Sequence, residues 1–69
     1  LLTPREQEVL SLLGAGMDAR AIARTLSISL HTCRGYVKSV LAKLDCHSQL
    51  EAVVAAGRLG LLPHPVERR

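Results

Sequence analysis

Asp18-Ala19-Arg20-Ala21-Ile22-Ala23-Arg24-Thr25-Leu26, then Ser27-Ile28-Ser29, then Leu30-His31-Thr32-Cys33-Arg34-Gly35-Tyr36-Val37-Lys38 is the stretch whose reading decides the fold. Asp18 is a helix N-cap. Behind it Ile22, Ala23 and Leu26 recur at i, i+1 and i+4 as one apolar face, with Arg20 and Arg24 off it. Three residues interrupt the pattern. Ser29 then caps a longer helix starting near Leu30, whose apolar stripe is Cys33, Val37, Val40, Leu41 and Leu44. Arg34, Lys38 and Ser39 project elsewhere, and Lys43 lies near the C-terminal end. Asp45 is the expected stop, because Asp tolerates the left-handed conformation better than most residues.

Two more helices flank this pair. Upstream, Thr3-Pro4-Arg5-Glu6 combines an N-cap, a proline at the first helical position and a capping-box glutamate. Val9, Leu10, Leu12 and Leu13 follow at helical spacing, and Gly14-Ala15-Gly16 ends a helix over about 4–14. Downstream, Ser48-Gln49-Leu50-Glu51 is a second capping box opening a fourth helix to Gly57 or Leu59. Gly60, Pro63 and Pro65 end it. Residues 1–62 are thus expected to form one all-α, four-helix domain, and 63–69, lacking a periodic apolar face, a flexible C-terminal tail. No strand-like alternation and no internal repeat occur.

Composition agrees. Of 69 residues 48% are apolar, with one Tyr and no Phe or Trp. So short a chain leaves no room for a nucleotide-binding sheet or a two-domain cleft. No apolar run approaches the ~20 residues that cross a bilayer, and the charged start is not a signal peptide. A chain opening directly on a helix-start signal reads as a fragment of something longer. Cys33 and Cys46 allow one disulfide at most and are expected to stay reduced in a cytoplasmic setting. His31, Cys33, Cys46 and His47 invite a zinc reading, but His31 and Cys33 are i,i+2 on a helix and point to different faces, so no metal is expected. Catalysis has no foothold: no Ser/His/Asp set can be assigned, and Gly14-Ala15-Gly16 is no phosphate loop. The chain reads as a non-enzyme without a cofactor.

Two short helices joined by a three-residue turn, the second one basic, make a helix-turn-helix layout. An α-helix fits the DNA major groove, where basic side chains reach base edges and phosphates while the preceding helix braces across the backbone. Ile28 would plug the angle between the two. The net charge of +3 is modest, but residues 28–45 carry Arg34, Lys38 and Lys43 against Asp45 alone. Arg34 can reach a guanine bidentately, and Lys38, one turn on, faces the same side. Thr32, in the first turn, suits a phosphate. Spacing of this kind also occurs in purely structural helix pairs.

Leu2-Thr3-Pro4-Arg5-Glu6 with Glu8-Val9-Leu10, then Ile22-Ala23, Leu26, Ile28-Ser29, Thr32, Lys43-Leu44, and Ser48 with Glu51, resembles the LuxR-type (NarL/FixJ) helix-turn-helix DNA-binding domain from Leu2 to about Leu61. The resemblance implies the C-terminal effector domain of a bacterial transcription regulator. In that family the third helix, here about 30–44, enters the major groove and the fourth commonly mediates dimerisation on DNA. Position by position, base reading falls on Arg34, Gly35 and Lys38, and backbone contact on Thr32, Lys43 and Ser48. His31 is expected to touch base or backbone, and Arg24 a phosphate, since the second helix crosses the backbone. Double-stranded operator DNA is the expected partner, with RNA polymerase as a further one. The sequence departs from the family pattern at Ala21, Ser27, Gly35, Tyr36 and Asp45; Ser27 and Asp45 stand where glycines are common.

The fourth helix is expected to carry two apolar faces. Leu50, Val53 and Gly57 are assigned to the domain's own core. Glu51, Val54, Ala55 and Arg58 remain opposite, where small apolar residues let two such helices approach around a two-fold axis with Glu51 and Arg58 paired across it. That patch is small, so the isolated chain is expected to be monomeric or weakly dimeric, pairing on DNA. Two rival readings are a sigma-factor-like promoter-reading domain and a helical module whose basic helix faces an acidic protein.

Overall fold

Four helices run through residues 1–61, the part of the chain that the computed structural model describes: α1 (Pro4–Gly14), α2 (Ala19–Leu26), α3 (Leu30–Lys43) and α4 (Gln49–Arg58). No strand occurs among the described residues. Residue 62 of the expected domain and the expected tail, 63–69, lie outside them.

Each helix begins on a side-chain cap. The amide of Glu6 donates to Thr3 Oγ1 (3.1 Å), that of Ala21 to Asp18 Oδ1 (2.9 Å), that of Thr32 to Ser29 Oγ (3.0 Å) and that of Glu51 to Ser48 Oγ (3.1 Å). These bonds satisfy donors that have no partner within a helix. At α1 the box is reciprocal, because the Thr3 amide donates to Glu6 Oε1 at 2.8 Å. At α4 the expected box is altered: Glu51 Oε1 accepts the amide of His47 (2.7 Å), one residue further back than the cap.

All four helices also end alike. One residue takes a positive φ, its amide donates three residues back, and the next amide donates five back. These pairs are Gly16 to Leu13 with Met17 to Leu12, Ser27 to Arg24 with Ile28 to Ala23, Asp45 to Ala42 with Cys46 to Leu41, and Gly60 to Gly57 with Leu61 to Ala56. The residue after each left-handed position is apolar. Met17 and Ile28 pack against one part of the core and Cys46 against another.

Two hydrophobic clusters fill the interior. Val9 and Leu13 of α1, Ile22 and Ala23 of α2, and Cys33 and Val37 of α3 form the first; Leu10, Val40, Ala52 and Ala56 form the second. Thus α1 and α3 supply buried residues to both, α2 to the first and α4 to the second, with Val53 of α4 half-buried against the first. Packing requires a correction on α4. Its inner face is Ala52 and Ala56, both fully buried, with Val53 half-buried; Leu50, expected in the core, is 75% exposed. Small side chains at i and i+4 let α4 approach α1 and α3 closely. Leu50, two residues before Ala52, then projects roughly 160° away around the helix.

Among the described residues one charged group is buried. Glu6 accepts from the Thr3 amide, from Lys43 Nζ at 2.8 Å and from the Ser39 hydroxyl. Ser39 therefore faces α1 through this carboxylate rather than projecting away from the packed side. Three donors hold the Glu6 pKa down at about 2, the Lys43 ammonium contributing most, then Ser39 and the Thr3 amide.

Candidate nucleic-acid interface

With Cys33, Val37 and Val40 turned into the core, helical geometry sends His31, Arg34, Gly35 and Lys38 outward together at i, i+3, i+4 and i+7. All four are exposed, and they line one side of a shallow concavity floored by Val37. The opposite rim is Ala19 at the start of α2 and Gln49 at the start of α4. Among the described residues no acidic side chain lines it, and the charged side chains that do, Arg34 and Lys38, are positive. A Cβ added at Gly35 would meet no atom within 4 Å. The missing side chain is thus not a packing requirement; it lowers the helix surface between Arg34 and Lys38.

The other expected contacts are spread around this face. Thr32 is exposed in the first turn of α3, with its amide committed to Ser29 Oγ and its hydroxyl accepting from that same oxygen at 2.9 Å. Arg24 is exposed on α2, and Ser48 is exposed with its oxygen capping α4. Lys43 stands apart. It lies five residues beyond Lys38, roughly 140° around the helix, and its ammonium binds Glu6 Oε1 and donates to the Leu1 carbonyl at 3.2 Å. It does not share the face of Arg34 and Lys38. Helical spacing within α3 made the Arg34–Lys38 pair legible. The Glu6–Ser39–Lys43 cluster and the approach of Gln49 have no such signal, because they join separate helices.

On α4, Val54 is 47% exposed, Ala55 half-buried, and Glu51 and Arg58 exposed. They line a groove with Leu44, Cys46, Leu50 and Leu59. The outward apolar face is therefore larger than the sequence reading assigned, since Leu50 and Leu59 (66% exposed) belong to it. One Glu51 oxygen is occupied by the His47 amide.

His31 is exposed while Cys33 is buried, and no group of metal-binding side chains forms among the described residues. Burial pushes the Cys33 thiol pKa up; burial, then Glu51 and Asp45, do the same at Cys46. Among the described residues no helix is long and apolar enough to cross a membrane.

Comparison with known proteins adds to this geometry. The family model for bacterial regulatory proteins, luxR family, matches residues 1–56. The chain is 39% identical over 59 residues to the transcriptional regulatory protein DesR of Bacillus subtilis (strain 168), covering 86% of this chain and 30% of DesR. It is 42% identical over 53 residues to the nitrate/nitrite response regulator protein NarL of Escherichia coli (strain K12), covering 77% of this chain and 24% of NarL. A solved structure of the transcription factor GerE superposes with a TM-score of 0.82 at 32% identity, covering 90% of this chain and 92% of that one. The chain spans less than a third of the length of DesR or NarL.

Proposed function

The chain belongs to the luxR family of bacterial regulatory proteins, as a LuxR-type helix-turn-helix domain, and from that premise we propose that it binds double-stranded operator DNA sequence-specifically, with α3 in the major groove. The family is one of DNA-binding transcription regulators and not an enzyme class.

The observation that carries this reading is the exposed α3 face, where Arg34 and Lys38 flank a glycine above a concavity that no acidic side chain lines among the described residues. In the groove the Arg34 fork matches the O6 and N7 acceptors of guanine, and Lys38 reaches an acceptor one turn along. Gly35 lets the helix axis approach the base edges. His31 and Thr32, at the helix start, meet backbone or base, while Arg24 on the bracing helix and Ser48 at the α4 cap meet phosphates. Lys43 has a third donor for a phosphate beyond its bonds to Glu6 and Leu1.

Two copies are proposed to pair through the outward α4 face, with Val54 and Ala55 in contact and Glu51 and Arg58 at the edge. RNA polymerase as a further partner and a cytoplasmic, nucleoid-associated setting belong to the same reading. Titration with duplexes selected from a random pool tests the α3 assignment. Arg34→Ala is expected to cost about 1–3 kcal/mol and to relax selectivity at one base pair. Unchanged affinity and selectivity would overturn it.

A further inference from the structure

We infer that His31 takes up a proton as the chain binds DNA, so that affinity rises as pH falls; the inference rests on the DNA-binding reading above. His31 is exposed on the outward face of α3, one turn before Arg34, and lines the concavity together with Arg34 and Lys38. From the helices packed beside α3, Ala19 of α2 and Gln49 of α4 reach this hollow, and neither titrates. Asp18, next to that rim in sequence, caps α2 through the Ala21 amide and lines a separate groove with Leu13 and Met17. Among the described residues the charged neighbours of the imidazole in the hollow are thus cations, and no carboxylate there offers it a partner. His47 is placed differently, in the α4 groove that Asp45 and Glu51 also line.

Duplex DNA supplies the missing negative charge. It carries about one phosphate charge per 1.7 Å of axis, and a helix about 10–12 Å across fills a major groove about 12 Å wide. A side chain on the outward face of α3 therefore enters the field of the phosphates. Histidine changes its charge between about pH 5 and pH 8, and an anion within about 4–6 Å favours the charged form. The imidazolium donates from both nitrogens, where the neutral ring donates from one. Each His31 that meets a phosphate takes one proton from solvent, so the complex holds more protons than the free chain. Affinity then increases as pH falls through that range. The bonds of Glu6 to Ser39 and Lys43 persist throughout, because its carboxyl titrates at about 2.

The test is titration of the chain against a pool-selected duplex at about pH 8 and about pH 5.5, inside the range where histidine titrates, over several salt concentrations. Parent affinity is expected to be about tenfold higher at the lower pH, the worth of one charge-assisted hydrogen bond. The slope of log K against log salt is expected to steepen there by about 0.9. Calorimetry in buffers of different ionisation enthalpy reads the proton uptake directly. His31→Gln is expected to bind alike at both pH values. His31→Arg, charged at both, is expected to bind at the higher pH as the parent does at the lower. His47→Gln and His64→Gln, which remove the other histidines of the chain, are expected to keep the parent's pH dependence. Unaltered melting temperatures establish that the variants fold like the parent. Equal parent affinity at both pH values, a pH dependence that survives His31→Gln, or one that disappears with His47→Gln or His64→Gln would overturn the inference. If the parent binds duplex DNA at neither pH, or if Arg34→Ala binds as the parent does, the DNA-binding reading itself fails. Binding sensitive to Arg34 but indifferent to pH defeats only the inference.

Discussion

Gly35 combines a local cost with an open surface. A glycine inside a helix lowers stability by about 0.8–1.0 kcal/mol relative to alanine, and here no neighbouring atom would obstruct a Cβ. Gly35→Ala is therefore expected to raise thermal stability by about that amount, while weakening binding to duplex DNA because the methyl group holds α3 off the base edges. Melting curves and duplex titrations measured on one preparation check both halves. A variant that gains stability and keeps full affinity would mean that the glycine serves no approach to DNA. Position 35 was legible in the sequence as a member of the outward face. Whether a side chain there would pack against anything was not, since that depends on what other helices bring near it.

At the scale of the helix, its ends and faces matter most. Two of the four left-handed end positions are glycines and two are not: Ser27 at φ 57° and Asp45 at φ 56°. A left-handed conformation costs a non-glycine residue about 1–2 kcal/mol, less for Asp. Ser27→Gly is expected to stabilise the chain by about 1 kcal/mol and Asp45→Gly by less, readable as shifts in denaturant midpoint. A lowered midpoint for Ser27→Gly would show that its side chain contributes more than its backbone strain costs. On α4, the same rotation that buries Ala52 and Ala56 leaves Leu50 and Val54 outside. Val54→Glu is expected to preserve the fold and half-site binding while abolishing cooperativity on a two-site duplex. Cooperativity equal to the parent's would remove α4 from the dimer contact.

Across the whole molecule, Glu6 ties the start of the first helix to the C-terminal half of the third through Ser39 and Lys43. Its carboxyl titrates near 2 in the folded chain against an ordinary value of 4.5. The unfolded chain takes up the proton first, so this stabilisation is complete above pH 4.5 and drains away as pH falls towards 2. Removing the ammonium removes the main cause of the depression. Lys43→Met is expected to melt below the parent at pH 7, the two curves converging as pH approaches 2. A gap that stays constant across that range would show that the difference does not come from the Lys43–Glu6 ion pair. Because Lys43 serves the fold, loss of DNA affinity in this variant is to be read beside its melting temperature.

Residue order determined the four helices, since caps such as Thr3, Asp18, Ser29 and Ser48 and the apolar periods between them act over three or four residues of chain. It determined the Arg34–Lys38 face for the same reason: i,i+4 neighbours share a side whatever surrounds them. The tertiary structure decided that the inner face of α4 is built on Ala52 and Ala56, which belong to neither of the two faces read from the sequence, while Leu50, expected inside, stays exposed; the small side chains let the helix pack closely. It also decided that Glu6 meets Ser39 and Lys43 and that Gln49 meets the α3 concavity. These residues lie on different helices, so only the packing angles of the four helices bring them within reach.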